Sequence, residues 1–263
     1  MGDHQIVMLH GQPGLGSDWE QLAGLLSSGL AVTAVDRPGY GASPQAAGGF
    51  AANARAVVAE LDARNIDRAV LVGHSHGGGV ALSVATQAPE RVEALVLLAS
   101  IGPGCLNGWD RLLSAPVTGE VCAVVAWRLT PWLARAGLTA LSRRRGHPPA
   151  ASEHVNWHIW ATAHFNHGSL WRTFLTEQRS LTSELADLTA SLPHVKQPVL
   201  LLADPEDTLV PVTTAYQLAA ALPDARIELV HGTGHHLPRR GAPQTAERII
   251  QFLADLDAIR APG

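Results

Sequence analysis

Short, continuous apolar runs alternate with amphipathic stretches along most of the chain. Such runs predict strands that are covered on both faces, whereas the amphipathic stretches have the spacing of helices with one apolar side. The alternation indicates the α/β class, with a mostly parallel sheet between two layers of helices. Strands are predicted at residues 6–9, 31–35, 69–72, 92–99, 198–203 and 226–230. Helices are predicted at residues 17–27, 50–64, 77–87, 212–222 and 242–258.

The alternation stops between residues 102 and 192. This stretch has helical spacing interrupted by prolines, and it contains six of the seven tryptophans of the chain. An insertion between two strands is typical of a lid over a functional site. We therefore predict a core domain formed by residues 1–101 and 193–263, with a helical cap formed by residues 102–192. The basic run of Arg143, Arg144 and Arg145 predicts a solvated loop.

The sequence Gly73-His74-Ser75-His76-Gly77 joins a predicted strand to a predicted helix. The pattern G-x-S-x-G at such a junction is typical of a nucleophile elbow, in which the serine takes a strained backbone conformation. The strain lifts the hydroxyl clear of the sheet, and the start of the helix favours negative charge beside it. Ser75 is therefore the candidate nucleophile, with His74 expected beneath the turn and His76 facing the pocket. An ordinary glycine-rich turn is the alternative.

The loop His10-Gly11-Gln12-Pro13-Gly14 follows the first predicted strand. A tetrahedral intermediate of acyl transfer needs two backbone N–H groups directed at its oxyanion. In nucleophile-elbow enzymes, one comes from the residue after the serine and the other from a loop after an early strand. These positions predict an oxyanion hole formed by the N–H groups of His76 and Gln12, with His10 holding the loop.

Five motifs occur in an order that resembles the α/β-hydrolase superfamily, as a serine esterase-like member with a helical cap. They are HGQPG at 10–14, DRPGYGAS at 36–43, GHSHGG at 73–78, ADPEDTLVP at 203–211 and GTGHHLP at 232–238. The resemblance implies an eight-stranded, mostly parallel sheet with a cap after the sixth strand. Few residues precede the first predicted strand here, so we expect the N-terminal edge strands to be missing and six parallel strands to form. One sheet edge is then expected to be exposed or covered by a partner subunit.

The same resemblance implies the other members of a catalytic triad, in the chain order serine, acid, histidine. The family acid stands just before an apolar pair and a proline, which selects Asp207; Asp204 and Glu206 are the alternatives. The family histidine follows the pattern G-x-G, which selects His235, and its neighbour His236 is the alternative.

Such a triad hydrolyses acyl bonds through an acyl-enzyme: His235 accepts the proton of Ser75, and Asp207 orients the imidazole. We expect a carboxylic ester or a related acyl bond to be cleaved, without a cofactor or a metal. The tryptophans of the predicted cap favour a small apolar or aromatic substrate, although they are equally expected as the core of the cap. The candidates for substrate binding are Trp109, Trp127, Trp157, Trp160 and His236.

Other activities that use the same three residues stay open. They are cofactor-free haloperoxidase or perhydrolase chemistry and carbon–carbon bond hydrolysis. A ligand receptor and an inactive scaffold of the same fold are open as well. A serine at position 75 argues against haloalkane dehalogenases and epoxide hydrolases, which use an aspartate nucleophile.

Composition narrows the setting in which the protein acts. The formal net charge of −4 lacks the basic excess of nucleic-acid binders, so no nucleic-acid partner is expected. Two cysteines, Cys105 and Cys122, do not indicate a disulfide framework. The N-terminus lacks a signal-peptide pattern, and the apolar run at residues 121–127 is too short to span a bilayer. We therefore expect a cytoplasmic monomer or homodimer without a membrane span that acts on a small molecule.

Overall fold

The computed structural model describes residues 4–145, 161, 164, 165 and 170–260. Its centre is a sheet of six parallel strands in the order β2-β1-β3-β4-β5-β6. The six-stranded parallel sheet predicted from the sequence is thus confirmed for the described residues. The strands are β1 (Gln5–Leu9), β2 (Ala31–Val35), β3 (Ala69–His74), β4 (Val92–Leu98), β5 (Val199–Ala203) and β6 (Ala225–Leu229).

Helices connect these strands, as the alternation along the sequence predicts. Short 3-10 turns at Gly16–Trp19, Pro89–Arg91 and Leu192–His194 supplement them. The helices of the described residues are α1 (Glu20–Leu26), α2 (Phe50–Ala63), α3 (His76–Gln87), α4 (Gly108–Ser114), α5 (Thr118–Arg145), α6 (Leu170–Ser191), α7 (Val212–Ala221), α8 (Leu237–Arg240) and α9 (Ala242–Arg260).

The two faces of the sheet support two separate hydrophobic clusters. Successive side chains of a strand point to opposite faces, so alternate residues enter different clusters. Ile6 and Met8 pack with residues of α1 and α9, whereas Val7 and Leu9 pack with residues of α2, α3, α6 and α7. The continuous apolar runs of the sequence are explained by this burial on both faces.

Strand β2 lies at one edge of the sheet. Of its five side chains only that of Val35 is buried, whereas β1 beside it is buried along almost its whole length. The exposed edge that we expected from the sequence therefore lies at β2.

Helices α4, α5 and α6 lie between β4 and β5, within the predicted cap. Leu181, Leu185 and Leu188 of α6 belong to the same hydrophobic cluster as α2 and α3, so this helix packs on the layer beside the sheet. The division into core and cap domains stays a prediction. The prediction of a loop at Arg143–Arg145 was wrong, because α5 continues to Arg145.

The helices were also compared with the dimensions of a membrane. No single helix of the described residues is long and apolar enough to cross one. One bent pair, Gly108–Ser114 with Thr118–Ala140, has the required length and composition only when taken together.

Candidate active site

Ser75 lies between β3 and α3 with backbone angles φ 53° and ψ −119°. A positive φ is uncommon for a residue with a side chain, and the surrounding structure has to hold the strain. Three backbone hydrogen bonds do so. Ser75 N–H donates to Leu98 O (3.0 Å), and Ser75 O accepts from Gly78 N–H (3.0 Å) and Ile101 N–H (3.2 Å). The turn thus has the conformation of a nucleophile elbow.

Close backbone contacts explain the glycines on both sides of Ser75. A Cβ atom at Gly73 would lie 2.5 Å from Gly77 O, and a Cβ atom at Gly77 would lie 2.1 Å from Leu9 O. Both distances are too short for carbon and oxygen atoms that are not bonded. Only glycine therefore allows β1, β3 and α3 to approach each other this closely.

Asp207 and His235 come together beyond the ends of two neighbouring strands, β5 and β6. Asp207 Oδ2 accepts a hydrogen bond from His235 Nδ1–H at 2.8 Å. Its other carboxylate oxygen accepts from the N–H groups of Leu209 (2.8 Å) and Val210 (3.0 Å). These contacts orient the buried carboxylate and favour the imidazole tautomer whose Nε2 accepts a proton.

The two alternative acids have different environments. Asp204 is fully buried and accepts hydrogen bonds from Thr233, Gly234 and the N–H group of Glu206. Burial alone would raise the pKa of Asp204, but these hydrogen bonds outweigh it and lower the pKa. Asp204 therefore connects the acid loop to the histidine loop, whereas the side chain of Glu206 is exposed. Asp207, in contrast, is bonded to the imidazole.

His74 connects the elbow to the histidine loop. Its Nε2–H donates to His235 O at 2.7 Å, and the two ring centroids are 4.9 Å apart. Burial lowers the pKa of His74 well below its usual value, so the ring is neutral at neutral pH. Among the hydrogen bonds of the described residues, none joins Ser75 Oγ to the His235 ring. Hydrogen bonds of this kind often tighten only when substrate is bound.

The predicted oxyanion hole combines the N–H groups of Gln12 and His76. Gly11 lies against the elbow, since a Cβ atom there would be 3.2 Å from Ser75 Cβ. The side chain of Gln12 donates to Phe174 O of α6 at 2.8 Å. The hydrogen bonds that the structure describes engage neither of the two backbone N–H groups, which agrees with a role in binding an oxyanion. The assignment stays a prediction.

Arg37, in the loop after β2, uses all five of its side-chain N–H groups. Nε–H donates to His10 O (2.7 Å) and Nη2–H to Gly11 O (2.8 Å), which holds the predicted oxyanion loop by its carbonyls. The other donors reach Asn53 Oδ1 (3.2 Å) and both carboxylate oxygens of Glu177. The side chains of Arg37 and Glu177 are 0% exposed, so this ion pair is completely withdrawn from water.

Glu177 belongs to α6 and lies 140 residues further along the chain than Arg37. Tyr40 O–H also donates to its carboxylate at 2.7 Å. Burial and the Glu177 charge raise the pKa of Tyr40 well above its usual value. This contact was not predicted from the sequence. The available signal was a charged residue on the apolar side of α6, one helical turn before Leu181.

His10 holds the same loop from within. Its Nε2 accepts from Arg37 N–H (3.0 Å), and its Nδ1–H donates to Gly11 O (2.9 Å). Burial and the charge of Arg37 lower the pKa of His10 well below its usual value, so the ring is neutral and its tautomer is defined.

His76 does not face a pocket, contrary to our prediction. Its ring is only 1% exposed, stacks on Phe50 with centroids 4.9 Å apart and has Nε2 3.7 Å from Glu177 Oε1. Neither ring nitrogen has a hydrogen-bond partner in the part of the chain that the structure describes. Burial lowers the pKa of His76 to about 4, although the Glu177 carboxylate opposes this shift. The ring points into the packed layer because α3 starts at His76 and lies against α2.

The tryptophans predicted to bind substrate lie in different settings. Trp127 of α5 is buried against Phe165 and Phe174, with ring centroids 4.4 and 5.3 Å away. Its indole N–H is buried without an acceptor among the described residues. Trp109 of α4 is 70% exposed, which is a surface position. Trp157 and Trp160 lie outside the described residues.

The remaining substrate-binding candidate is His236. Its ring makes an edge contact with the His235 ring at 5.9 Å, and burial lowers its pKa to about 4. Substrate binding by this residue and by the tryptophans stays a prediction. No three His, Cys, Asp or Glu side chains converge as metal ligands within the described ranges.

The sequence and the fold of this chain are similar to those of known proteins. A family model described as the alpha/beta hydrolase family matches residues 6–248. A 2-hydroxymuconate semialdehyde hydrolase of Pseudomonas putida is 28% identical over 235 residues, which cover 88% of this chain and 79% of that protein. A non-heme haloperoxidase of Rhodococcus erythropolis is 30% identical, with coverage of 94% and 91%. The structure of a thermophilic esterase from Thermogutta terrifontis shares the fold, with a TM-score of 0.76, 19% identity and coverage of 97% and 91%.

Replacement of Glu177 by glutamine leaves the charge of Arg37 buried without a counter-ion. We expect Glu177→Gln to lose about 3–5 kcal/mol of unfolding free energy, measured by urea denaturation. The matched control is Glu120→Gln, which breaks an exposed ion pair between α5 and Arg179 of α6 and should unfold near the wild-type midpoint. Equal midpoints for the two variants would contradict a structural role for the buried pair.

The buried His76 should make the protein less stable in acid. Its folded-state pKa of about 4 lies below the usual 6.5, so between these values the unfolded chain binds a proton that the folded chain does not. The contribution of His76 to the unfolding free energy is fully present above pH 6.5. It is lost as pH falls towards 4, by up to about 1.4 kcal/mol per pH unit. Urea midpoints of His76→Leu should fall less over this range than those of wild type. If the urea midpoints of His76→Leu and wild type fell equally steeply, the loss of stability in acid would come from other titratable groups.

Proposed function

The chain belongs to the alpha/beta hydrolase family, and on this premise we propose that it is a serine hydrolase. It cleaves a carboxylic ester or a related acyl bond through an acyl-enzyme. The observation that carries the proposal is the hydrogen bond of 2.8 Å between the buried Asp207 and the half-buried His235, together with the strained elbow at Ser75. We further propose that the enzyme acts on small molecules as a cytoplasmic monomer or homodimer.

The proposed reaction starts with proton transfer from Ser75 to His235 Nε2 while Oγ attacks the acyl carbonyl. The oxyanion accepts hydrogen bonds from Gln12 N–H and His76 N–H, and the N-terminus of α3 adds a favourable dipole. His235 then gives its proton to the leaving group, and the tetrahedral intermediate collapses to the acyl-enzyme. Water attacks in the same way and releases the acid, while Asp207 stabilises the imidazolium in both halves.

We propose a small apolar or aromatic acyl substrate. The aromatic cluster of Trp127, Phe165 and Phe174 supports this, because such side chains bury large apolar area. Phe174 also accepts the side-chain hydrogen bond of Gln12, which connects this cluster to the predicted oxyanion loop. The indole N–H of Trp127, which has no acceptor among the described residues, is suited to a substrate oxygen. Helices α4, α5 and α6 would then act as the cap.

A second candidate is hydrolysis of a semialdehyde like 2-hydroxymuconate semialdehyde, by carbon–carbon bond cleavage. The similarity to the Pseudomonas putida hydrolase over 88% of this chain favours it. Both candidates use the same three residues, so substrate assays have to separate them. Hydrolysis of p-nitrophenyl esters of graded chain length supports the ester assignment, whereas turnover of the semialdehyde alone supports the second.

Ser75→Ala should remove the covalent step. We expect turnover of the best p-nitrophenyl ester to fall by several orders of magnitude, with about 10³-fold catalysis over water left from the oxyanion hole and binding. A fluorophosphonate should add one label to wild type and none to Ser75→Ala, measured by intact mass. Ser43→Ala, at a half-buried position of the loop after β2, is the control and should be labelled like wild type. Wild-type turnover in folded Ser75→Ala protein would overturn the assignment.

The two adjacent histidines allow an equally direct comparison. Only the His235 ring contacts Asp207 at hydrogen-bond distance among the described contacts, so only His235 should act as the base. His235→Ala should abolish nearly all acylation, measured as the burst with an activated ester. His236→Ala should cost at most moderate activity through loop packing. The opposite ranking in two folded variants would show that the alignment of this loop is displaced by one residue.

A further inference from the structure

Helix α5 has an apolar row on its outer side. We call Val121, Val125, Leu129, Trp132 and Leu133 the α5 stripe; their exposed fractions are 58%, 48%, 51%, 67% and 51%. Val121, Val125, Leu129 and Leu133 are spaced by four residues and Trp132 follows Leu129 by three, so the five share one face of the helix. An isolated exposed apolar side chain is ordinary, but a continuous row of five marks an interaction surface.

The opposite side of α5 is already packed. Ala123, Trp127 and Ala134 are buried, and Trp127 contributes to the aromatic cluster described above. The stripe is therefore not the side of α5 that packs on the rest of the described structure. Its apolar surface exceeds what folding of the described residues requires.

Beyond Glu120, which forms an ion pair with Arg179 of α6, the charges of α5 all have one sign. Residues 121–145 contain five arginines and no aspartate or glutamate, in a chain whose formal net charge is −4. Arg128 and Arg143 are exposed. At about 100° per residue, Arg128 lies beside the stripe, and Arg143 lies on the same side of the helix beyond Leu133. An apolar face with tryptophan, bordered by arginine, is typical of helices that lie in the interface of a membrane.

We propose that the α5 stripe binds the surface of a bilayer that contains anionic lipids. The helix would lie parallel to the membrane plane, with Val125, Leu129 and Trp132 among the acyl chains. The guanidinium groups of Arg128 and Arg143 would reach the lipid phosphates. The proposal is binding to a surface: α5 alone is not long and apolar enough to cross a membrane, and it has the required length and composition only together with α4, across a bend of 100°.

The charge pattern disfavours two other partners for the stripe, a second copy of this chain and a nucleic acid. Two stripes of two copies would bring arginines together, because the one acidic residue of α5, Glu120, already forms an ion pair with Arg179 and residues 121–145 contain no other. A nucleic acid would match the arginines but would leave the five apolar side chains against water and phosphate. Anionic lipid matches both parts of the surface, because it offers acyl chains beneath a layer of negative charge.

Vesicle flotation of the whole chain tests the proposal. We expect binding to vesicles of phosphatidylcholine with phosphatidylglycerol, weaker binding to phosphatidylcholine alone, and a decrease at high NaCl. Val125→Ser/Trp132→Ser should reduce the partition coefficient by at least about tenfold. The matched control is Tyr216→Ser/Ile259→Ser, which removes an aromatic and an aliphatic side chain exposed elsewhere, by 50% and 81%. Its binding should equal that of wild type.

The charges are tested separately. Arg128→Gln/Arg143→Gln should lower the preference for anionic vesicles several-fold, whereas Arg55→Gln on α2 should not. Thermal unfolding of each variant establishes that it is folded. Because flotation measures binding rather than turnover, its result is independent of the proposed hydrolysis.

Three results would overturn the proposal. They are no flotation of wild type with anionic vesicles, equal flotation of wild type and the stripe variant, and loss of flotation in both the stripe variant and its control. A concentration-dependent dimer that the stripe variant abolishes, without vesicle binding by wild type, would assign the stripe to a second copy.

Discussion

The burial of the Arg37–Glu177 ion pair is the constraint on which the rest of the site depends. Removing two charges from water costs several kcal/mol per ion unless the surrounding groups satisfy every polar atom. The Arg37 guanidinium meets this requirement with five acceptors, among them the carbonyls of His10 and Gly11. These acceptors come from the loop after β1, from α2 and from α6, so the three segments have to occupy their positions together. A displacement of α6 would therefore be transmitted to the loop beside Ser75.

The three proposed catalytic residues are positioned in another way, by backbone groups at the carboxyl ends of parallel strands. Ser75 follows β3, and Asp207 and His235 follow β5 and β6, so all three residues lie at the carboxyl end of the sheet. Asp204 joins the last two loops through buried hydrogen bonds. Because backbone N–H groups and carbonyls make most of these contacts, the geometry depends on loop conformation more than on side-chain packing.

Helices α5 and α6 use their polar and apolar residues in opposite ways. On α6 the charge of Glu177 is buried and the leucines face the core, which anchors this helix to the sheet layer. On α5 the apolar stripe faces outward and the arginines accompany it. Helix α6 connects the proposed cap to the predicted oxyanion loop, and α5 provides the surface for which we propose a lipid bilayer. Binding at α5 would thus be connected to the site through α6.

The sequence by itself determined the six parallel strands, most of the helices and the turn at Ser75, because these depend on apolar periodicity and on local glycine geometry. Its resemblance to the α/β-hydrolase superfamily also selected Asp207 and His235, and the structure places them within hydrogen-bond distance. Only the tertiary structure decided the partner of Arg37, because that contact joins residues 140 positions apart. It likewise decided that the ring of His76 is buried. Neither could follow from a local pattern, since each depends on which helices the folded sheet brings against α3.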